Sequence, residues 1–299
     1  MKNSPFYNQA ELMLRMLPFT AQEKCFALKG GTAINFFFRD MPRLSVDIDL
    51  AYIPIESREQ SLKNISDALK RVAVTARKAI PGLRFQQDNE YKLLVRFNDV
   101  QIKIEPNTVL RGTVFPIEDK KLCKPAQDMF ELFVSLNTLS FADIYGGKLC
   151  AALDRQHPRD MFDIKLLLEN EGITEQVRKA FVIYLASHDR PMHEVLSPSI
   201  QDFKRMYDLD FKGMTALDVS CEELSSIQKK LPAALLKILT EKERHFLISI
   251  KEGVPQWDLI GVEGVDKLPG IQWKLFNINR IPKRKHKELI EKLKSVLQL

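Results

Sequence analysis

Apolar positions along the first 140 residues change period several times, whereas the remainder keeps one period. Spacings of three and four predict an amphipathic helix over Asn8 to Leu17. The apolar run Cys25 to Leu28 stops at Gly30-Gly31, which reads as a strand entering a tight turn. Thr32 to Arg39 reads as a helix and Ser45 to Ile53 as an alternating strand. Ser57 to Ala79 is a longer helix stopped by Pro81-Gly82. Three strands are expected at Leu83 to Gln87, Tyr91 to Phe97 and Val100 to Glu105, with Asn98-Asp99 as a hairpin turn. Phe130 to Leu139 suits one or two short strands.

From Phe141 the pattern is helical: Phe141 to Leu153, Arg159 to Glu169, Thr174 to Ala186, Leu217 to Lys230 and Ala233 to Lys251. Pro158 opens the second of these and Pro232 divides the last two. Leu268 to Phe276 and Pro282 to Leu299 end the chain. There is no internal repeat and no low-complexity linker. The expected architecture is α+β, with an α/β domain over 1–140 and an α-helical domain over 141–299.

Composition narrows the classes. At 299 residues, 45% hydrophobic and 28% charged, the chain suits a globular protein with an ordinary core. No apolar run approaches the ~20 residues of a membrane span. Met1 to Phe19 lacks an apolar stretch followed by a small-residue cleavage site, so a cytoplasmic protein is expected. Cysteines at 25, 123, 150 and 221 have no metal-ligand spacing and read as free thiols of a reducing compartment. The five scattered histidines argue against a His/Cys zinc site. The formal charge is +6, and its distribution is uneven. Arg280, Lys283, Arg284, Lys285, Lys287, Lys292 and Lys294 are opposed by Glu288 and Glu291 alone, which suits a polyanion such as RNA or DNA as well as a plain solvated helix face.

The candidate chemistry starts at Ser45-Val46-Asp47-Ile48-Asp49-Leu50. Side chains alternate along a strand, so Asp47 and Asp49 share the face opposite Val46, Ile48 and Leu50. Like charges on one face repel. A divalent cation removes that penalty, and oxygen-only donors on an open face suit Mg²⁺. In isolation, Asp-x-Asp reads more often as an exposed edge strand with two solvated aspartates. Upstream, Lys29-Gly30-Gly31-Thr32 sits at a strand-to-helix turn, where glycine lets the backbone approach a phosphate and the helix start offers N–H groups. Arg39 and Arg43 follow, and an arginine fork matches phosphate oxygens. Downstream, Ile102 and Ile104 face the core and leave Gln101, Lys103 and Glu105 opposite. Glu105, at the expected strand end, is a candidate third metal ligand or general base.

A Gly-Gly turn, then Asp-x-Asp on a strand, then a later strand carboxylate resembles the DNA polymerase β nucleotidyltransferase superfamily. Lys29 stands where that pattern has a hydrophobe, and the fifteen-residue spacer between Gly31 and Asp47 is slightly long. Lys29 to Ala33 together with Arg43 to Leu50 more closely resembles the AbiEii/MenT branch of toxin nucleotidyltransferases. The likeness extends to Tyr145-Gly146-Gly147-Lys148-Leu149 and to Arg155 through Asp163, and more loosely to Trp273-Lys274-Leu275. It implies a polymerase β-like domain, a mixed sheet with flanking helices, followed by a helical domain. It implies metal ligands Asp47, Asp49 and Glu105, a two-metal Mg²⁺ site, and catalytic roles for these with Lys148 and Asp163. Lys29, Gly30, Gly31, Thr32, Arg39, Ser45, Lys148, Arg159 and Asp160 would bind the nucleoside triphosphate. Asp160 also reads as a simple helix-start acid. The resemblance further implies an RNA acceptor, the tRNA 3′ end, and an antitoxin encoded alongside. Two other functions suit the same residues: transfer to a small-molecule or protein hydroxyl, and nucleotide or RNA binding without catalysis.

Overall fold

Seven short strands from the first half of the chain assemble into one mixed sheet. The computed structural model describes residues 1–299, apart from the side chains of Gln87 and Asp88. The chain divides into two compact units, Met1–Ile144 with Leu209–Asp218, and Tyr145–Asp208 with Val219–Leu299.

The first unit runs α1 (Tyr7–Thr20), β1 (Phe26–Lys29), α2 (Gly30–Ala33), β2 (Asp47–Tyr52), α3 (Arg58–Ala79), β3 (Arg84–Asn89), β4 (Lys92–Phe97), β5 (Val100–Asn107), β6 (Glu118–Lys121), α4 (Lys124–Phe130) and β7 (Ser135–Thr138). The sheet order is β3-β4-β5-β2-β1-β7-β6. β2 pairs with β5 and β1 with β7 in parallel, and the other neighbours are antiparallel. Parallel neighbours need a long crossover, and α3 with the β3–β4 hairpin lies between β2 and β5. Ile48, Leu50, Ile102 and Ile104 are buried, as are Met13, Leu14 and Leu17 of α1, which packs on β2 and β5. α1 also packs against α3, which buries Ile65, Leu69 and Val72 and is capped by Ser57 Oγ accepting from the Gln60 N–H. The mixed sheet and its helices match the α+β expectation.

Two details differ. The helix expected over 32–39 is one α-turn, α2, continuing as a π-helical turn over Ile34–Phe38. π-turns of this kind occur disproportionately beside functional sites. β6 and α4 have no counterpart in the periodicity reading. β6 is Glu-Asp-Lys-Lys, a charged edge strand without an apolar face.

The second unit is helical: α5 (Phe141–Arg155, with the division at Ile144/Tyr145), α6 (Pro158–Asn170), α7 (Glu175–Ser187), α8 (Met192–Leu196), α9 (Lys204–Asp210), α10 (Cys221–Ile238), α11 (Glu241–Glu252), α12 (Pro269–Ile278) and α13 (Lys283–Leu297). Gly146 explains part of the Tyr-Gly-Gly-Lys segment: a Cβ there would lie 2.6 Å from Ala180 Cβ, so α5 and α7 approach through the missing side chain. Pro232 does not divide two helices. It lies inside α10, and the break comes at Leu239–Thr240. There Thr240 accepts from the Glu243 N–H while the Glu243 carboxylate accepts from the Thr240 N–H. This reciprocal cap defines the start of α11 more firmly than the loss of one N–H at proline interrupts α10. All four cysteines are free. Among the described residues no helix is long and apolar enough to cross a membrane.

Candidate active site

Strand β2 sets the geometry. Asp47 and Asp49 are partly exposed, while Ile48 and Leu50 on the other face are buried. In the parallel pairing with β5, Asp49 stands beside Glu105 and Asp47 beside Lys103. Registered neighbours point to the same face, so the three carboxylates share one side of the sheet. Cations border them: Lys29 is the register partner of Asp49 on β1, and Lys92 Nζ on β4 lies 4.0 Å from a Glu105 oxygen. Glu105 is not at a strand end, because β5 continues to Asn107.

The turn before α2 is shaped around these groups. Gly30 has φ +71°, and a Cβ on it would sit 2.4 Å from Asp49 Oδ2. The carboxylate thus lies against bare backbone. At Gly31 a Cβ would meet an Arg43 guanidinium nitrogen at 2.6 Å. Thr32 is fully buried. Its hydroxyl lies 2.9 Å from Ser45 Oγ and donates to the Asp47 carbonyl at 2.5 Å. The Thr32 and Ser45 hydroxyls are therefore engaged with each other and with the start of β2. The first N–H groups of α2 have no side-chain cap, and such groups are what an anion meets at a helix start.

Arg43, expected near a phosphate, is 2% exposed. Its Nη1 donates to its neighbour's carbonyl, that of Leu44, at 2.8 Å. The cause is a segment distant in sequence. Leu209–Asp218 returns to the first unit, where Thr215 pairs with Arg43, the Leu44 N–H donates to the Met214 carbonyl, and Thr215 Oγ1 donates to the Pro42 carbonyl. This clip fixes the loop that delivers Ser45 and Asp47. Arg39, at the end of the π-turn, is extended in backbone and partly exposed.

In the second unit Lys148 of α5 is the centre of an ion cluster. Its ammonium lies 3.1 Å from Asp160 and 2.9 Å from Asp163, and both aspartates are fully buried. Arg155 grips Asp160 with two nitrogens, at 2.6 and 2.8 Å. Burial by itself would raise the Asp160 pKa, but Lys148 and Arg155 outweigh it and hold the carboxyl far below the usual carboxylate range. The cap of α6 is supplied by His157, whose Nδ1 accepts from the Arg159 N–H. Asp160 is thus an ion-pair partner rather than a cap. Sequence reasoning assigned Arg155 no role, and its only signal is the five-residue interval to Asp160 on the next helix.

Among the described residues no three His, Cys, Asp or Glu side chains close into a metal-ligand set. Asp47, Asp49 and Glu105 still fit a hard divalent cation by donor type, with oxygen-only groups on one open face. Glu105 lies near Lys92 Nζ, at 4.0 Å.

Residues 11–275 match the family described as nucleotidyl transferase AbiEii toxin, type IV TA system. No curated protein sequence matches the chain. Among solved structures, the chain is similar to MenT4, a nucleotidyltransferase toxin from Mycobacterium tuberculosis H37Rv, with 16% identity and a TM-score of 0.57 over 96% of this chain and 92% of that one. A second alignment, to the E. coli MS115-1 CdnC:HORMA-deltaN complex, covers 89% and 90% at 14% identity with a TM-score of 0.26 and bears no weight.

Proposed function

The chain belongs to the AbiEii nucleotidyltransferase toxin family, and from that premise we propose that it transfers a nucleoside monophosphate from a nucleoside triphosphate to an RNA hydroxyl, the 3′ end of tRNA, and so blocks translation. The same reading makes it the toxin of a type IV-like toxin–antitoxin system with an antitoxin encoded alongside. The observation that carries the chemistry is the register of β2 and β5, which sets Glu105 beside Asp49, with Asp47 two residues away on the same face.

In the proposed reaction an acceptor hydroxyl oxygen bonds to the α-phosphorus, the bond to the bridging oxygen breaks, and pyrophosphate leaves. Asp47 and Asp49 would hold Mg²⁺, with Glu105 as a further ligand, and the metal supplies charge neutralisation at the attacking and leaving oxygens. Glu105 is the most open of the three, which supports its alternative role as the general base that would take the acceptor proton. The Gly30-Gly31 turn offers backbone N–H groups to the phosphates, and Thr32 and Ser45 hold the turn to the start of β2. The basic α13 supports a polyanionic acceptor over a small molecule.

Incubation with each labelled nucleoside triphosphate, Mg²⁺ and total tRNA, with Asp49→Ala as control, tests the reading. Label on tRNA from the wild type alone supports it. Label on a protein or small molecule instead removes the RNA acceptor, and no label anywhere removes the transferase reading.

A further inference from the structure

Helix α12 reverses the usual sidedness of a surface helix. Its buried residues Ile271, Lys274 and Ile278 form one stripe. The opposite side carries Trp273 and Phe276, 47% and 50% exposed. Their rings stack with centroids 5.6 Å apart, and the Arg280 guanidinium lies 5.0 Å from the Phe276 ring centre. The result is an outward ladder of indole, phenyl and guanidinium on successive turns. Two large aromatics in water gain nothing from burial there, so the ladder does not serve the core.

The next helix shows a second anomaly. α13 opens with Lys283, Arg284, Lys285, His286 and Lys287, with no acidic residue in its first turn and no side-chain cap. Cations at a helix N-terminus oppose the positive end of the dipole. Its buried residues, Leu293 and Leu297, come late, and in the first turn His286 Nε2 lies 2.7 Å from the Lys251 carbonyl, while Lys283, Arg284, Lys285 and Lys287 are exposed. Among the described residues, Arg284 reaches a carboxylate, Glu288 at 3.5 Å, while Lys283, Lys285 and Lys287 form no ion pair. Arg280 joins the aromatic ladder to this cluster across a turn of two residues, Ile281 and Pro282.

From this juxtaposition we propose that the α12–α13 surface binds unpaired RNA, with bases stacked on Trp273 and Phe276 and phosphates held by Arg280, Lys283, Lys285 and Lys287. Stacking needs an open base face, which a duplex hides, and sequence-tolerant binding of single strands combines such aromatic platforms with a cationic track. Charge complementarity selects a polyanion over an apolar protein segment, and the paired rings select a single strand over a duplex. The inference deepens the RNA-acceptor reading, but equilibrium binding without nucleotide or divalent cation tests it independently of transfer.

The probes are a fluorescent oligouridylate, the same strand paired with oligoadenylate, and a salt titration of each. The wild type should bind the single strand about tenfold or more tighter than the duplex. Trp273→Ala/Phe276→Ala should lose that preference, roughly tenfold on the single strand, with duplex binding and the thermal melt unchanged. Trp273→Phe/Phe276→Tyr should restore it. Lys283→Gln/Lys285→Gln/Lys287→Gln should weaken both probes and flatten the slope of log K against log salt by about 2 on the single strand. The proposal is overturned if the alanine pair binds oligouridylate like the wild type, if it weakens both probes equally, or if the wild type does not distinguish them. A transferase inactive on tRNA that passes these tests would retain the surface and lose only the acceptor assignment.

Discussion

Substituting Gly30 with alanine separates backbone strain from the placement of a carboxylate. The added Cβ would lie 2.4 Å from Asp49 Oδ2, a separation that real Cβ atoms do not show. Ordinary contact begins near 3.4 Å, so the carboxylate must retreat by about 1 Å, and a misplacement of that size costs on the order of 10²-fold in rate. Independently, φ +71° is a left-handed conformation that costs a non-glycine residue roughly 1–2 kcal/mol. For a unit of this size that lowers Tm by about 2–8 °C. Gly82→Ala is the matched control. Its φ is +90°, but its Cβ would meet only Phe97 at 3.5 Å. The assay pairs label transfer to total tRNA with calorimetry. Both variants should melt earlier, and Gly30→Ala alone should lose transfer. Equal transfer by the two variants, or a wild-type rate for Gly30→Ala, would refute the placement of Asp49 as the sensitive element.

Three further outcomes follow from buried charges. Lys148→Met strips the shared cation from two fully buried aspartates and should destabilise the chain by about 3–5 kcal/mol, read as a lower urea midpoint; an unchanged midpoint would show that the cluster is not held by its lysine. The depressed Asp160 pKa places that carboxylate's contribution fully above the ordinary aspartate value near ~3.9, to be lost as pH falls through its lower folded value, so Asp160→Asn should flatten the acid limb of the stability curve relative to wild type. Burial lowers the Lys274 pKa to about 8 while its ammonium donates to the His188 and Arg190 carbonyls. The unfolded chain then holds more protons than the folded one above that value, so wild-type stability should rise between pH ~8 and ~10.4 relative to Lys274→Met, and parallel curves would exclude the shift.

The parts of the site visible in the sequence are those set by short periods. Alternation alone places Asp47 and Asp49 together, and the same rule places Glu105 opposite Ile102 and Ile104. The register that puts Glu105 beside Asp49 depends on the long crossover over 53–99 and is not written in either strand. Arg43 suits a phosphate ligand by its type, and nothing near it in the sequence suggests burial. The residues that bury it, Met214 and Thr215, lie about 170 positions later. Thr32 and Ser45 are thirteen residues apart, and their shared hydrogen bond exists only once the loop is clipped. Lys148 with Asp160 and Asp163 requires the packing of α5 on α6, whereas the cap at Thr240 is written in the sequence as Thr-x-x-Glu.

The long-range contacts converge on one short stretch, and that convergence argues for function. Asp47 and Asp49 repel one another on their shared face of β2. Yet a left-handed glycine lies under Asp49, a fully buried threonine holds the Asp47 carbonyl, and a buried arginine fills the space at Gly31. A segment from beyond residue 208 secures the loop between them. Each of these restricts where the carboxylates lie. Folding stability alone would favour an apolar or neutral pair at those positions. The arrangement instead holds two like charges in place, which is what a nucleotidyl-transfer site requires, since its rate depends on the position of charge far more than on the reactivity of any one side chain.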